Sequence, residues 1–175
     1  MQESIGLLVA RLIFGLYIIG HGGQKLFGWF GGHGLLATSS YFEQLGYRPG
    51  RAFATAASVA EIAGGVLLAL GFLGPIGPAL IISVMIVAIG SVHWRHGLFT
   101  SKNGIELPLL FAAAAFAVAL TGPGLISLDA QTGLGDIWTV DLTWVVVGLG
   151  IVGGLVNLAI RRPVGTLVPG GSVAR

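Results

Sequence analysis

Two ionisable side chains, Arg11 and Glu61, stand inside segments that are otherwise apolar enough to cross a bilayer. A charged group at the bilayer centre costs about 2.5–3.5 kcal/mol on insertion scales, so such residues normally face a protein partner or a cavity. Glu61 follows Arg51 by about 15 Å of helix, which places it near the middle of a ~30 Å hydrocarbon core. Two interpretations stay open: a structural tie between Arg11 and a carboxylate, or a Glu61 that carries a proton or binds a ligand.

Arg11 lies about 9 Å inside the opposite edge of that core. Three partners are open to it: Glu61, Asp129 beyond the fourth apolar segment, and the lipid headgroups that a long side chain can reach. At 100° per residue, Arg11 shares one helical face with His21 and Lys25. We therefore expect this face of the first helix to be directed into a helix bundle.

A second group of ionisable side chains gathers near one predicted membrane boundary. Its members are His21, Lys25, His93, His96 and Glu106. In a structural interpretation the imidazoles cap helix ends and the carboxylate pairs with a nearby lysine or arginine. In a second interpretation the group binds the head of a quinone or another amphipathic molecule, since ring carbonyls need hydrogen-bond donors and a route for protons. The third interpretation is a metal, or a haem held by two histidines.

The composition is that of a membrane protein. Of 175 residues, 54% are hydrophobic and only 9% are charged, too few to cover a water-soluble surface. The length suffices for four or five spans of ~20 residues, which excludes a large extramembrane catalytic domain or a nucleotide-binding fold. No nucleic-acid motif is present, and the absence of cysteine excludes a dithiol relay, an iron–sulfur cluster and disulfides. Redox chemistry would need a borrowed cofactor, so we expect no intrinsic one and assign no metal ligands.

The pattern of apolar segments predicts an all-α, polytopic transmembrane helix bundle. Five spans are expected, at about residues 5–27, 51–72, 76–94, 105–120 and 142–160. Together they form a single transmembrane domain, residues 1–162, followed by a flexible tail at 163–175. The segment from Gly31 to Gly50 is interpreted as a short amphipathic or re-entrant piece at the interface. Glycines within the spans indicate close helix packing.

Basic residues predict the orientation, because cytoplasmic loops carry an excess of lysine and arginine. In a five-span arrangement all basic residues other than Arg11 fall on one side, whereas acidic residues such as Glu3, Asp129, Asp136 and Asp141 fall on the other. We therefore expect a multi-pass protein of the plasma membrane, with the N-terminus outside and the C-terminus in the cytoplasm.

The order of these features resembles the DoxX family of small integral membrane proteins, over roughly residues 5 to 130. The resemblance rests on Arg11, His21-Gly22, Lys25-Leu26, Glu61, Gly64-Gly65, His93, His96-Gly97-Leu98-Phe99, Gly104, Glu106, Gly122-Pro123-Gly124 and Ser127-Leu128-Asp129. The family is named for a membrane subunit of an archaeal thiosulfate:quinone oxidoreductase. Mycobacterial members are associated with a membrane oxidoreductase complex in oxidative-stress defence. Members are usually four-helix proteins, so the fifth helix is an addition to the DoxX-like core and a candidate span for docking a partner.

The resemblance implies a membrane subunit that works beside redox partners. We expect no intrinsic activity from the chain alone, and a role as a subunit of a quinone-linked oxidoreductase. We expect Glu61 to act in catalysis by tuning or relaying a proton. The ligand-binding candidates are Arg11, His21, Lys25, Glu61, His93, His96, Glu106 and Asp129. A quinone is the expected ligand, and the expected partners are lipids with either other redox subunits or further copies of the chain. Two alternatives remain: a non-catalytic assembly scaffold, and a carrier of protons or small solutes.

Overall fold

The computed structural model describes residues 1–162, and this part of the chain is folded almost entirely into helices. The α-helices are α1 (Gln2–Phe27), α2 (Gly34–Gln44), α3 (Gly50–Leu70), α4 (Ile76–Ala88), α5 (Glu106–Thr121), α6 (Leu128–Thr132) and α7 (Val140–Ala159). The predicted all-α bundle is thus confirmed. The tail predicted at 163–175 lies outside the described residues.

Within residues 1–162, four helical segments are long and apolar enough to cross a membrane. These are Gln2–Phe27, Gly50–Leu70, Ile76–His96 and Val140–Ala159. The shorter apolar helix α5 spans about 24 Å at 1.5 Å per residue and packs mainly on α4. The chain is therefore a multi-pass membrane protein, and the exposed apolar residues on α1 and α7 contact lipid.

Charge separates the two ends of the bundle. At what we call the basic end, α1 and α7 finish and α3 begins, and the Arg162 amide donates a 2.9 Å hydrogen bond to the Gly46 carbonyl. At the acidic end, the Asp129 amide donates to the Gly71 carbonyl at 3.1 Å. The described lysines and arginines, Arg11 excepted, lie toward the basic end. Which end faces the cytoplasm stays a prediction.

Glycines set the spacing between the long helices. The Gly15 and Gly65 backbones touch where α1 crosses α3, and a Cβ at residue 15 would lie 2.7 Å from the Gly65 carbonyl oxygen. A Cβ at Gly150 of α7 would likewise lie 2.6 Å from the Ala79 carbonyl oxygen of α4. Without a strong hydrophobic drive between helices in lipid, such close backbone contact is a main source of packing energy. Helix α7, the predicted fifth span, is thus packed closely on α4.

Replacing Gly65 by valine is expected to destabilise the bundle by about 1–3 kcal/mol, because the added methyl groups force α1 and α3 apart. Gly148 on α7 provides the matched control, since a Cβ there has no heavy atom within 4 Å. Thermal unfolding in detergent should show a lower midpoint for Gly65→Val than for Gly148→Val. Equal midpoints would show that the α1–α3 contact does not limit stability.

Candidate functional site

Glu61 forms an ion pair with Lys25, not with Arg11. The Lys25 ammonium donates to Glu61 Oε1, and the Glu61 side chain is only 2% exposed whereas that of Lys25 is 32% exposed. Of the three partners that the sequence leaves open for Arg11, Glu61 is therefore excluded. The reason is depth: Glu61 lies three turns into α3 from the basic end, and Lys25 lies in the last turn of α1 at that same end. A lysine side chain can extend back into the bundle to meet the carboxylate.

A cavity of about 690 Å³ lies beside this pair at the basic end, with walls from α1, α2, α3, α4 and α7. Its wall is mainly alanine, valine and aromatic side chains. Its polar lining residues include Lys25, Tyr47, Ser91, His93 and Asn157. Volumes of about 300–1,000 Å³ with a few converging polar groups are typical of small-molecule sites. This cavity is therefore the candidate functional site.

A change of helix type shapes one wall of the cavity. The α4 helix gives way to a π turn at Ile89–His93, and the consecutive residues Ser91, Val92 and His93 all line the cavity. In a regular α-helix these three would spread over about 200° of the surface. Single π turns of this kind often occur at functional sites. The turn brings the Ser91 hydroxyl within 2.6 Å of the Tyr47 hydroxyl.

Tyr47 was not foreseen as a site residue, yet it is 1% exposed and its side chain forms part of the cavity wall. It packs between Phe42 and Phe53, with ring centroids 5.7 Å and 5.2 Å away. The sequence signal was present in the aromatic residues of the predicted interfacial segment. That segment folds as α2 and a turn that packs on α3, which closes the cavity on this side.

His21 and His93 both lie near the cavity but differ in their contacts. His21 precedes Lys25 by one helical turn and packs edge-on against Phe111, with ring centroids 5.9 Å apart. It contributes nothing to the cavity wall itself. His93 lines the cavity, and its Nδ1 lies 2.7 Å from the Asn103 carbonyl oxygen.

His96 and Glu106 lie outside the cavity, so the predicted cluster is brought together only in part. The exposed His96 bonds through Nδ1 to the Val92 carbonyl oxygen of its own helix at 2.8 Å. The exposed Glu106 carboxylate accepts the Thr100 amide at 2.8 Å. Within residues 1–162, no three histidine, aspartate or glutamate side chains come together as a metal-binding group.

Arg11 belongs to the acidic end of the bundle. It is 1% exposed and donates hydrogen bonds to the carbonyl oxygens of Pro123 and Ile126, at 2.6 Å and 2.5 Å. Its guanidinium occupies the space that a side chain at Gly71 would need, and Gly71 itself has φ +61°. Arg11 thus ties α1 to the loop after α5, and it reaches neither Glu61 nor solvent.

Asp129 forms further hydrogen bonds at the same end of the bundle. Its fully buried carboxylate accepts the Leu73 amide at 2.9 Å and the Gly74 amide at 2.6 Å, in the turn between α3 and α4. The Asp129 charge also acts on Arg11 through space, although the two do not form a direct ion pair. Both residues are buried and bonded to backbone groups at the acidic end, although Arg11 Nε has no hydrogen-bond partner among residues 1–162, and neither residue lines the 690 Å³ cavity.

The fold and the cavity define a polytopic membrane helix bundle with one candidate ligand site at its basic end. The DoxX family model matches residues 6–94, about half of the chain, from the first turns of α1 to the residue after the π turn. The chain therefore belongs to the DoxX family. No curated protein and no solved structure matches the chain.

Most of the cavity wall comes from the part of the chain that the family model covers. Lys25, Glu61 and His93 all lie within residues 6–94. Asn157 of α7 lies outside that range and still reaches the wall. Helix α7 therefore contributes to the wall of the candidate site.

Proposed function

We propose that this protein binds the head group of a quinone in the cavity at the basic end and serves as the quinone-binding membrane subunit of a redox assembly. The observation that carries the proposal is the position of Lys25. Lys25 lines a largely apolar cavity, and its ammonium is bonded to the buried Glu61 carboxylate. The resemblance to a family named for a quinone-linked oxidoreductase subunit supports the same ligand class.

The cavity offers what a quinone requires. A planar, apolar ring needs apolar and aromatic walls, which Phe42, Phe53 and the alanines of α3 supply. An ammonium has three N–H donors, and Lys25 uses one on Glu61 Oε1, so two remain for a ring carbonyl. An ionised donor makes a hydrogen bond stronger than a neutral one. Lys25 is thus the group that orients the ring.

In this proposal Glu61 relays a proton between the bound quinone and its surroundings, or influences that transfer. Its Oε2 is buried and has no hydrogen-bond partner among residues 1–162, so it is the oxygen on which a proton can be held. His21 lies one turn before Lys25 and packs on Phe111, and it is not a lining residue of the cavity. We place the electron carriers in partner subunits, since the chain has no cysteine for a thiolate-bound redox group.

Removing the charged pair is expected to weaken quinone binding by about 10- to 100-fold, the value of a hydrogen bond to a charged group. The variant to use is Lys25→Met/Glu61→Leu, because it leaves no buried charge without a partner. Arg51→Met is the control, since Arg51 is an exposed basic residue at the same end. Quenching of tryptophan fluorescence by a short-chain ubiquinone analogue in detergent measures the affinity.

Quinone carried through purification gives a second measurement. Mass spectrometry of lipid extracts should find menaquinone or ubiquinone with the wild-type protein and the control, and less with the double variant. Unsaturable quenching together with no retained quinone would overturn the proposal. The non-catalytic assembly scaffold would then be the better description of this protein.

A further inference from the structure

We infer that the cavity binds the reduced, hydroquinone form of its ligand more tightly than the quinone form. The reason is that His93 supplies a hydrogen-bond acceptor, whereas Lys25 supplies a donor. This inference rests on the proposed function, since it concerns the redox state of the same ligand in the same cavity. It assigns His93 a direct contact with that ligand.

The hydrogen bond at Nδ1 decides the tautomer of His93. The partner at 2.7 Å is the Asn103 carbonyl oxygen, which can only accept. Nδ1 must therefore carry the hydrogen, and in the neutral ring Nε2 is left as a lone-pair acceptor. Because His93 lines the cavity, this acceptor is the ring nitrogen that remains for an occupant.

The loop that holds His93 is itself well fixed. Asn103 adopts a left-handed conformation, with φ +62°. The Gly104 amide bonds to Phe99 at 3.0 Å, and the Glu106 carboxylate accepts the Thr100 amide at 2.8 Å. Glu106 is thus a positioning residue, which stabilises the loop whose carbonyl selects the tautomer. Because this acceptor is fixed in place before the ligand binds, little conformational entropy is lost on binding.

The two redox forms differ in how they satisfy this pair of groups. A hydroquinone has two hydroxyl groups, so one can accept from Lys25 while the other donates to His93 Nε2. A quinone has two carbonyl oxygens, which accept only, so it can satisfy Lys25 but leaves Nε2 unmatched. A site built to bond a hydroxyl discriminates against an analogue that lacks it, because the polar group of the protein is left unpaired.

The test is to measure the affinity for decylubiquinol and for decylubiquinone under anaerobic conditions, in three forms of the full-length protein. Wild type is expected to bind the quinol about tenfold more tightly than the quinone, the value of one net hydrogen bond. His93→Phe should lose about tenfold in quinol affinity and keep its quinone affinity, so that the ratio falls to about one. His96→Phe is the matched control, since His96 also bonds a backbone carbonyl through Nδ1 but lies outside the cavity.

Each outcome has a defined meaning. Retained quinone binding by His93→Phe shows that the variant is folded and that only the second hydrogen bond is gone. Equal affinity of wild type for the two forms, or an equal loss of both in His93→Phe, overturns the inference and leaves the proposed function standing. Saturable binding of neither form by wild type overturns the proposed function itself.

Discussion

Asp129→Ala is expected to destabilise the protein by about 3–5 kcal/mol, the cost of removing one member of a buried charge network. The change leaves the Leu73 and Gly74 amides without their acceptor and leaves the buried Arg11 without the nearby opposite charge. Both effects act at the acidic end, where the α3–α4 turn meets the segment after α5. We expect a large drop in the yield of folded protein and in the thermal midpoint in detergent.

Two other aspartates provide controls of the same chemistry. Asp136 and Asp141 are exposed at the same end of the bundle. Their replacement by alanine should change stability by less than about 0.5 kcal/mol. If Asp129→Ala were as stable as these controls, the acidic-end network would have no structural role, and Arg11 would need another explanation.

The second large effect concerns the ion pair at the cavity. Lys25→Met is expected to cost about 3 kcal/mol, because it leaves the Glu61 carboxylate buried without a partner. The double variant Lys25→Met/Glu61→Leu should regain most of this loss, since burying neither charge costs less than burying one alone. Unfolding free energies of the two single variants and the double variant give the coupling energy directly.

Arg11 is the control for that cycle. In Arg11→Leu/Glu61→Leu the losses should simply add, because Arg11 bonds to the Pro123 and Ile126 carbonyls at the other end of the bundle. Recovery in this pair, with none in the Lys25 pair, would mean that Glu61 takes Arg11 as its partner in the folded protein. The assignment of the cavity wall would then have to change.

Hydropathy and helix-breaking glycine and proline residues predicted where the long helices lie. The predicted span at residues 51–72 corresponds to α3, Gly50–Leu70, and the span at 142–160 corresponds to α7, Val140–Ala159. These segments are long apolar runs bounded by Gly, Pro or charge, so their length and hydropathy are enough to predict them. The π turn at Ile89–His93 gave no such signal, because in the sequence its residues simply continue the apolar run of α4.

The side-chain partners were harder to predict, because hydropathy gives depth and not direction. Lys25 was placed at the membrane boundary, and its side chain extends inward to Glu61. Arg11 was expected to need a carboxylate or a headgroup, and two backbone carbonyls take that role instead. A carbonyl left free at a loop has no signature in the sequence. The roles of Glu61 and of the proposed ligand-binding residues remain predictions.

Helix α7, the predicted fifth span, has two faces with different contacts. Glycines of α7 allow this helix to pack closely on α4, and Asn157 of α7 lines the cavity. The whole of α7 lies beyond the residues that the family model matches. The opposite face of α7, with Leu149 and Val152, is exposed and apolar. The inner face therefore serves the fold, while the outer face contacts lipid and stays a candidate for the predicted partner docking.

Photoaffinity labelling tests the central claim most directly. An azido-quinone analogue, irradiated with the wild-type protein in membranes and mapped by peptide mass spectrometry, should label residues 24–47 and 83–93, which contribute much of the cavity wall. An excess of unlabelled quinone should prevent that labelling, and Lys25→Met/Glu61→Leu should reduce it. Labelling that is spread over the lipid-facing sides of α1 and α7, and that an excess of unlabelled quinone does not reduce, would contradict the account.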